Sequence, residues 1–362
     1  IGNGVSHEFF TDSGLSDLEV VAMNDPAGID RTLEVYTGND PVHGVYNWDV
    51  RKADENTLVI NGKPVRFYSK TPLAQIPFAE LGIDLVMECS GFYGDPKDKK
   101  DFTPEDNPGR EFLKYGVQRV IETYPAKTAD ASLIMGCNHL GYNPAEQRII
   151  SNASCTTKSL ALPLQVLLDN GISIEALSMD TVHAETGKDL HRLAGLLNPD
   201  FHGPTPKEEM EKMFRITTHS TGAAKATGLV IPSLKGKMVG GSYRVPALDG
   251  SFSNLYFVAT SEKELSEDYV NALMRNAVTD PRYAGRIGVF EEKDVGTSNI
   301  VGRRENGVVA LSKTSLLKLP FAPTGKHAYL VTLVSAYDNE LGSAVDPCLL
   351  AKYILSRWFQ IL

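Results

Sequence analysis

Apolar positions along the chain follow two rhythms. In the first half, short apolar runs alternate with polar and amphipathic stretches. The run 18–24 ends in Asn24-Asp25-Pro26 and predicts a strand. Segments 57–62 and 63–68 predict a hairpin turned by Asn61-Gly62. Runs 83–89 and 119–123 predict two further buried strands. Alternation of this kind predicts a parallel sheet with crossover helices. After Cys155, residues Leu160, Leu164, Leu167 and Leu168 keep helical spacing and Asn170-Gly171 ends it. Pro163 lies inside that helix and is expected to kink or loosen its first turns. The later half carries longer strands at 242–246, 251–260 and 327–336. An amphipathic helix runs through Val270, Leu273, Met274 and Ala277, and a last one through Val345, Leu349, Tyr353 and Ile354. This half predicts a mostly antiparallel sheet. The stretch 93–108, rich in Asp, Lys and Pro, predicts a solvated surface insertion.

The chain has 362 residues, enough for two domains at about 150 residues each. With 42% hydrophobic residues it supports packed cores, and no apolar run reaches the roughly 18–20 residues of a membrane helix. A net charge of -9 argues against non-specific binding to nucleic acid or to a membrane surface. Cys89, Cys137, Cys155 and Cys348 form no C-x-x-C pair, and no cluster has zinc spacing. Reduced thiols in a cytoplasmic compartment are expected, an organelle being the other possibility.

Cys155 differs from the other cysteines in having polar neighbours. The segment 151–157, Ser-Asn-Ala-Ser-Cys-Thr-Thr, leads directly into the apolar helix. Free N–H groups and the positive dipole end would face the sulfur, which lowers a thiol pKa. His183 ends an apolar run at 180–184 and could exchange a proton with such a thiol. Segment 220–224, Ser-Thr-Gly-Ala-Ala, opens a helix and makes an anion site. Arg244 stands in an otherwise apolar strand, where its charge needs a partner: a phosphate, held by bidentate contact, or an internal salt bridge.

At these residues the chain resembles the phosphorylating glyceraldehyde-3-phosphate dehydrogenase family. The resemblance is carried by 151–157, Thr181-Val-His-Ala184, Ser220-Thr-Gly-Ala-Ala-Lys225, Arg244-Val-Pro246 and Tyr337-Asp-Asn-Glu340, in that order, and covers nearly the whole chain. It implies a Rossmann-type dinucleotide-binding domain at 1–153 and 338–362, and an α+β catalytic domain at 154–337. It implies NAD as cofactor, a phosphorylated aldehyde and inorganic phosphate as substrates, and a homotetramer. Cys155 would form a hemithioacetal and then a thioester, with His183 as acid and base. Thr186 and Arg244 would contact the substrate phosphate, Ser154 and Thr221 the attacking phosphate, with Thr156 and Gly222 beside them. Asp25 would hold the adenosine ribose hydroxyls and repel a 2′-phosphate. Gly2, Ser90, Gly91 and Thr123 would line the dinucleotide site, and Asn339 would hold the nicotinamide carboxamide.

The chain also departs from the family. The opening strand and most of its glycine turn are absent, with Ile1-Gly2 matching the end of that turn. A central strand pairs on both sides, so its absence leaves two unpaired edges. The expectation is a longer native N-terminus or a strand supplied by another chain. Lys158 replaces the usual Asn, and 187–219 and 297–304 diverge. Three functional readings follow: an active NAD-dependent dehydrogenase, a weak or inactive homologue serving as a structural subunit or binding module, and a cysteine hydrolase. The hydrolase gives no reason for Asp25 or Asn339.

Overall fold

The computed structural model describes residues 1–40, 42–93, 103–185 and 215–360. Thr186, the segment 187–214 and the residues 94–102 of the surface stretch lie outside them. The chain forms two compact units, 1–153 with 343–362, and 154–342. Residues 338–342, read from sequence with the dinucleotide domain, pack with the second unit.

The first unit begins with helix α1 (Gly2–Thr11), then strand β1 (Ala22–Asn24) and helix α2 (Ile29–Thr37). Strands β2 (Val50–Asp54), β3 (Thr57–Ile60) and β4 (Lys63–Tyr68) follow, and the first sheet has the order β1-β4-β3-β2. The β3–β4 hairpin turns at Asn61 (φ 48°) and Gly62 (φ 79°), the left-handed pair that a two-residue type I′ turn requires. The run 18–24 yields a strand only at its end. β1 pairs with β4 alone, so only three residues gain ladder partners.

The second sheet is wholly parallel, β5 (Leu85–Glu88), β6 (Arg119–Glu122), β8 (Ile149–Ser151) and β7 (Ala131–Ser132), in that order. The short helix α3 (Arg110–Lys114) precedes β6. β1 and β5 are edge strands of separate four-stranded sheets. Helix α7 (Leu341–Phe359) lays Leu350, Ala351 and Ile354 on Ile121 and Ile150 of the second sheet. Its Ala344 and Cys348 pack on Val5 of α1. Glycine at position 4 permits this contact, because an added Cβ would lie 2.8 Å from Ala344 Cβ.

The second unit opens with helix α4 (Cys155–Asp169) and the long strand β9 (Ser173–Ala184). Beyond come β10 (Thr217–Ser220), α5 (Ala223–Val230), β11 (Met238–Val245), β12 (Ser251–Ser261) and α6 (Glu267–Thr279). Strands β13 (Ile287–Phe290), β14 (Gly307–Ala310), β15 (Ser315–Lys318) and β16 (His327–Tyr337) complete the sheet. Its order is β10-β11-β9-β12-β16-β14-β13, with β15 on β16. The β9–β11 and β13–β14 pairs are parallel and the others antiparallel, so the sheet is mixed, with antiparallel pairing dominant. α4 packs against β9, β14 and β16, flanked by α5 and α6.

α4 runs unbroken through Pro163. Proline removes the donor that would serve the Ser159 carbonyl one turn back. Ser335 Oγ of β16 donates to that carbonyl at 3.0 Å and takes the missing N–H's place. Gly307 makes room for the substitute, since a Cβ there would lie 2.8 Å from Ser335 Oγ.

Candidate active site

Ser154 caps α4, its Oγ accepting from Thr157 N at 3.1 Å. That cap places Cys155 in the first helical position, half-buried, with Sγ 3.7 Å from His183 Nε2 and 3.9 Å from Thr156 Oγ1. Burial pushes the thiol above its ordinary range, against the pull of Thr156, Lys158 and Arg244. The helix N-terminus led to the expectation of a lowered value. In the folded protein desolvation is the larger effect.

His183 is buried near the end of β9, in register with Arg244 of β11. Its Nδ1 lies 2.7 Å from the Ala184 carbonyl, and Nε2 lies 3.1 Å from Asn339 Nδ2. With the proton on Nδ1 donated to Ala184 O, Nε2 is the acceptor that faces Cys155. Burial and then the Arg244 charge push His183 down to about 4, so the ring is neutral near pH 7. Arg244 is half-buried; its Nη1 rests against His183 Nδ1 and donates to Ala184 O at 2.6 Å. Among the described residues the guanidinium thus meets an imidazole and a peptide oxygen rather than the carboxylate of an internal salt bridge.

The structure brings Ser154, Cys155, Thr156, His183, Arg244 and Asn339 into one hydrogen-bonded cluster within the second unit. Thr221 and Gly222 stand at the N-terminus of α5, where Thr221 Oγ1 accepts from Ala223 N at 3.1 Å.

The sequence reading assigned no role to the residues that hold this cluster. Tyr337 Oη meets Thr156 Oγ1 at 2.8 Å and Thr181 Oγ1 at 2.9 Å. Ser251 Oγ donates to Asn339 Oδ1 at 2.8 Å, and Asp249 Oδ1 accepts from Asn339 N at 2.9 Å. Asp338 accepts from the N–H groups of Gly302, Glu340 and Leu341. Burial, together with the Asp338 charge, raises Asp249 well above the usual carboxylate range.

In the first unit, Ser90, Gly91 and Thr123 gather around Glu88 at the carboxyl ends of β5 and β6. The Glu88 carboxylate accepts from Ser90 N at 2.8 Å, from Ser90 Oγ, and from Gly91 N at 3.1 Å. Thr123 N donates to the Glu88 carbonyl at 3.0 Å. Glu88 itself was legible: a carboxylate inside an apolar run carries the same signal as Arg244. A Cβ on Gly2 would lie 3.5 Å from Cys89 Cβ, so the start of α1 adjoins this cluster. Asp25 is exposed after β1, accepting from Ala27 N at 2.9 Å. A helix N-terminus suits a pyrophosphate and an exposed carboxylate beyond a strand suits ribose hydroxyls, so these residues fit a dinucleotide.

Comparison with known proteins finds two family models. One, the glyceraldehyde 3-phosphate dehydrogenase NAD binding domain, matches residues 1–96; the C-terminal domain of the same family matches 154–339. The chain is 32% identical over 342 residues to glyceraldehyde-3-phosphate dehydrogenase 1 of Bacillus cereus, covering 94% of this chain and 92% of that protein. It is 34% identical over 341 residues to glyceraldehyde-3-phosphate dehydrogenase of Geobacillus stearothermophilus, with the same 94% and 92% coverage. A chloroplastic glyceraldehyde-3-phosphate dehydrogenase B of Pisum sativum is 32% identical over 345 residues, 95% of this chain and 69% of that protein.

Proposed function

The chain belongs to the glyceraldehyde-3-phosphate dehydrogenase family, and from that premise we propose that it oxidises glyceraldehyde 3-phosphate with NAD while taking up inorganic phosphate. The matches favour an enzyme over a catalytically silent subunit. One observation carries the assignment of residues: Cys155 Sγ at the start of α4, 3.7 Å from His183 Nε2.

Cys155 gives its thiol proton to His183 Nε2, and the sulfur attacks the aldehyde carbon to form a hemithioacetal. The Cys155 backbone N–H and His183 stabilise the oxygen as charge develops on it. Bound NAD supplies the acceptor for the hydride that leaves this carbon. His183 returns that proton to the oxygen, which gives the hemithioacetal hydroxyl, and takes it back as the thioester forms. Inorganic phosphate, placed by Ser154 and Thr221, attacks the thioester carbon, and the Cys155–carbon bond breaks to release an acyl phosphate. Arg244 and Thr186 bind the substrate's own phosphate, while Thr156 and Gly222 shape the same pocket. Asp25 takes the ribose hydroxyls, Gly2 and the start of α1 the pyrophosphate, and Ser90, Gly91 and Thr123 the rim; Asn339 turns its amide to the carboxamide.

We also assign a homotetramer and a cytoplasmic location. One face of the second unit's sheet supports the assembly. Val239, Tyr256, Leu330 and Leu317 stand on it in register, each 41–67% exposed. Four free cysteines suit a reducing compartment.

The test is turnover of glyceraldehyde 3-phosphate, NAD and phosphate, followed by NADH absorbance. Cys155→Ser should cut kcat on the order of a thousandfold or more with the fold intact. Full activity in the variant would remove Cys155 from the nucleophile's role.

A further inference from the structure

Among the described residues, two other than glycine hold a left-handed backbone, Asn61 (φ 48°) and Ala153 (φ 56°). Asn61 suits its place, since a short polar side chain favours that conformation and the hairpin requires it. Ala153 has only a methyl group, which gives no such help, so surrounding contacts impose its conformation. The chain passes from Ala153 directly into Ser154, the cap of α4, and then Cys155. Before it stand Ser151, the last residue of β8, and Asn152, both fully buried. Ser151 Oγ donates to the Tyr124 carbonyl at 2.8 Å and accepts from Ala153 N at 3.2 Å. Asn152 N donates to the Glu122 carbonyl at 2.8 Å.

The Asn152 amide reaches further. Its Nδ2 donates to the Leu133 carbonyl at 3.0 Å and to Asp346 Oδ2 of α7 at 2.7 Å. Asp346 is fully buried as well. The amide fits only one way round: turned over, its Oδ1 would meet a carbonyl and a carboxylate, both acceptors. A hydrogen bond to a carboxylate is roughly twice as strong as one between neutral groups, so Asp346 makes the strongest of these contacts. Resting on the nucleophile role given to Cys155 above, we propose that Asp346 is a positioning residue for the reaction. It holds the Asn152 amide, the amide holds Ala153 in its left-handed turn, and that turn sets how the chain enters the Ser154 cap. Without the carboxylate the turn relaxes toward ordinary backbone, and Cys155 Sγ leaves its place 3.7 Å from His183 Nε2.

Two rates test this. One is turnover of glyceraldehyde 3-phosphate with NAD and phosphate. The other is alkylation of Cys155 by iodoacetamide in the ligand-free protein, followed on the Cys155 peptide by mass spectrometry. Asp346→Ala should lower kcat by about tenfold to a hundredfold, with KM for the aldehyde within about twofold, and should slow alkylation in step. Asp346→Asn keeps an acceptor but no charge and should lie between that variant and the wild type; it carries the test if Asp346→Ala does not fold. Ala153→Gly removes the cost of the left-handed turn. Alone it should leave both rates near those of the wild type, and combined with either Asp346 variant it should restore most of the loss. A role in stability alone would lower the urea midpoint and give no such rescue of kcat. Wild-type rates in the folded Asp346 variants, or a loss that Ala153→Gly does not restore, overturn the positioning. If the wild type nevertheless turns over glyceraldehyde 3-phosphate, the proposed function stands without it. Alkylation that falls and recovers as stated, in a protein that turns over no aldehyde, would support the positioning and sink the function.

Discussion

Two opposing effects meet at Cys155. A helix start, Thr156, Lys158 and Arg244 favour the thiolate, and burial opposes it more strongly. Only the favourable part was legible in the segment 151–157, because desolvation depends on what the fold lays over the sulfur. Asp249 shows the same dependence with a measurable outcome. An aspartate titrates near about 3.9 when unfolded, and in the folded protein burial and Asp338 raise it. The fold therefore favours the neutral carboxyl. That contribution is complete below the unfolded value and is lost as pH rises through the folded one. Stability should fall as pH is raised from about 4 toward neutrality. Asp249→Asn keeps an acceptor for Asn339 N and should flatten that fall by about 1–2 kcal/mol. Urea midpoints at mildly acidic and mildly alkaline pH measure it; a variant with the wild-type slope would show that another group carries the effect.

Among the elements, α4 is the instructive one. Its leucine spacing and its Ser154 cap are local signals, and both appear in the structure as read. What the segment does not show is how α4 runs unbroken through Pro163, because the substitute donor comes from β16, far along the chain. Ser335→Ala removes the donor to the buried Ser159 carbonyl and should cost about 1–3 kcal/mol in urea unfolding. Pro163→Ala restores a backbone donor to the same carbonyl. The double variant should thus be destabilised by less than Ser335→Ala alone, and simple additivity would refute the repair. The strand at 18–24 shortened for a comparable reason: apolar residues predict extended backbone, but ladder length follows from available partners, and β1 has only β4.

For the molecule as a whole, the second unit presents an apolar sheet face that alternation alone could not reveal. Val239 and Tyr256 are both in register with Ser178, and Leu330 with Val258 and Leu317. These residues, distant in sequence, therefore line one surface. Light scattering should give a mass near four times 39.5 kDa for the wild type. Tyr256→Asp buries a charge in such an interface and should shift the mass downward. A monomeric wild type would rule out the tetramer.

By itself the sequence determined the family, the alternation of strands and helices in its first half, and the residues to watch: Cys155 among polar neighbours before an apolar helix, and His183 and Arg244 in apolar runs. These are local facts, since spacing, caps and a misplaced charge can be read within a few residues. Only the tertiary structure decided how those residues act. It brought Tyr337, Ser251 and Asp249 up behind them, laid Arg244 against His183, and buried the thiol enough to reverse its expected shift. Each of those outcomes depends on desolvation or on contacts between segments far apart in the chain, and neither quantity is written in any one stretch of it.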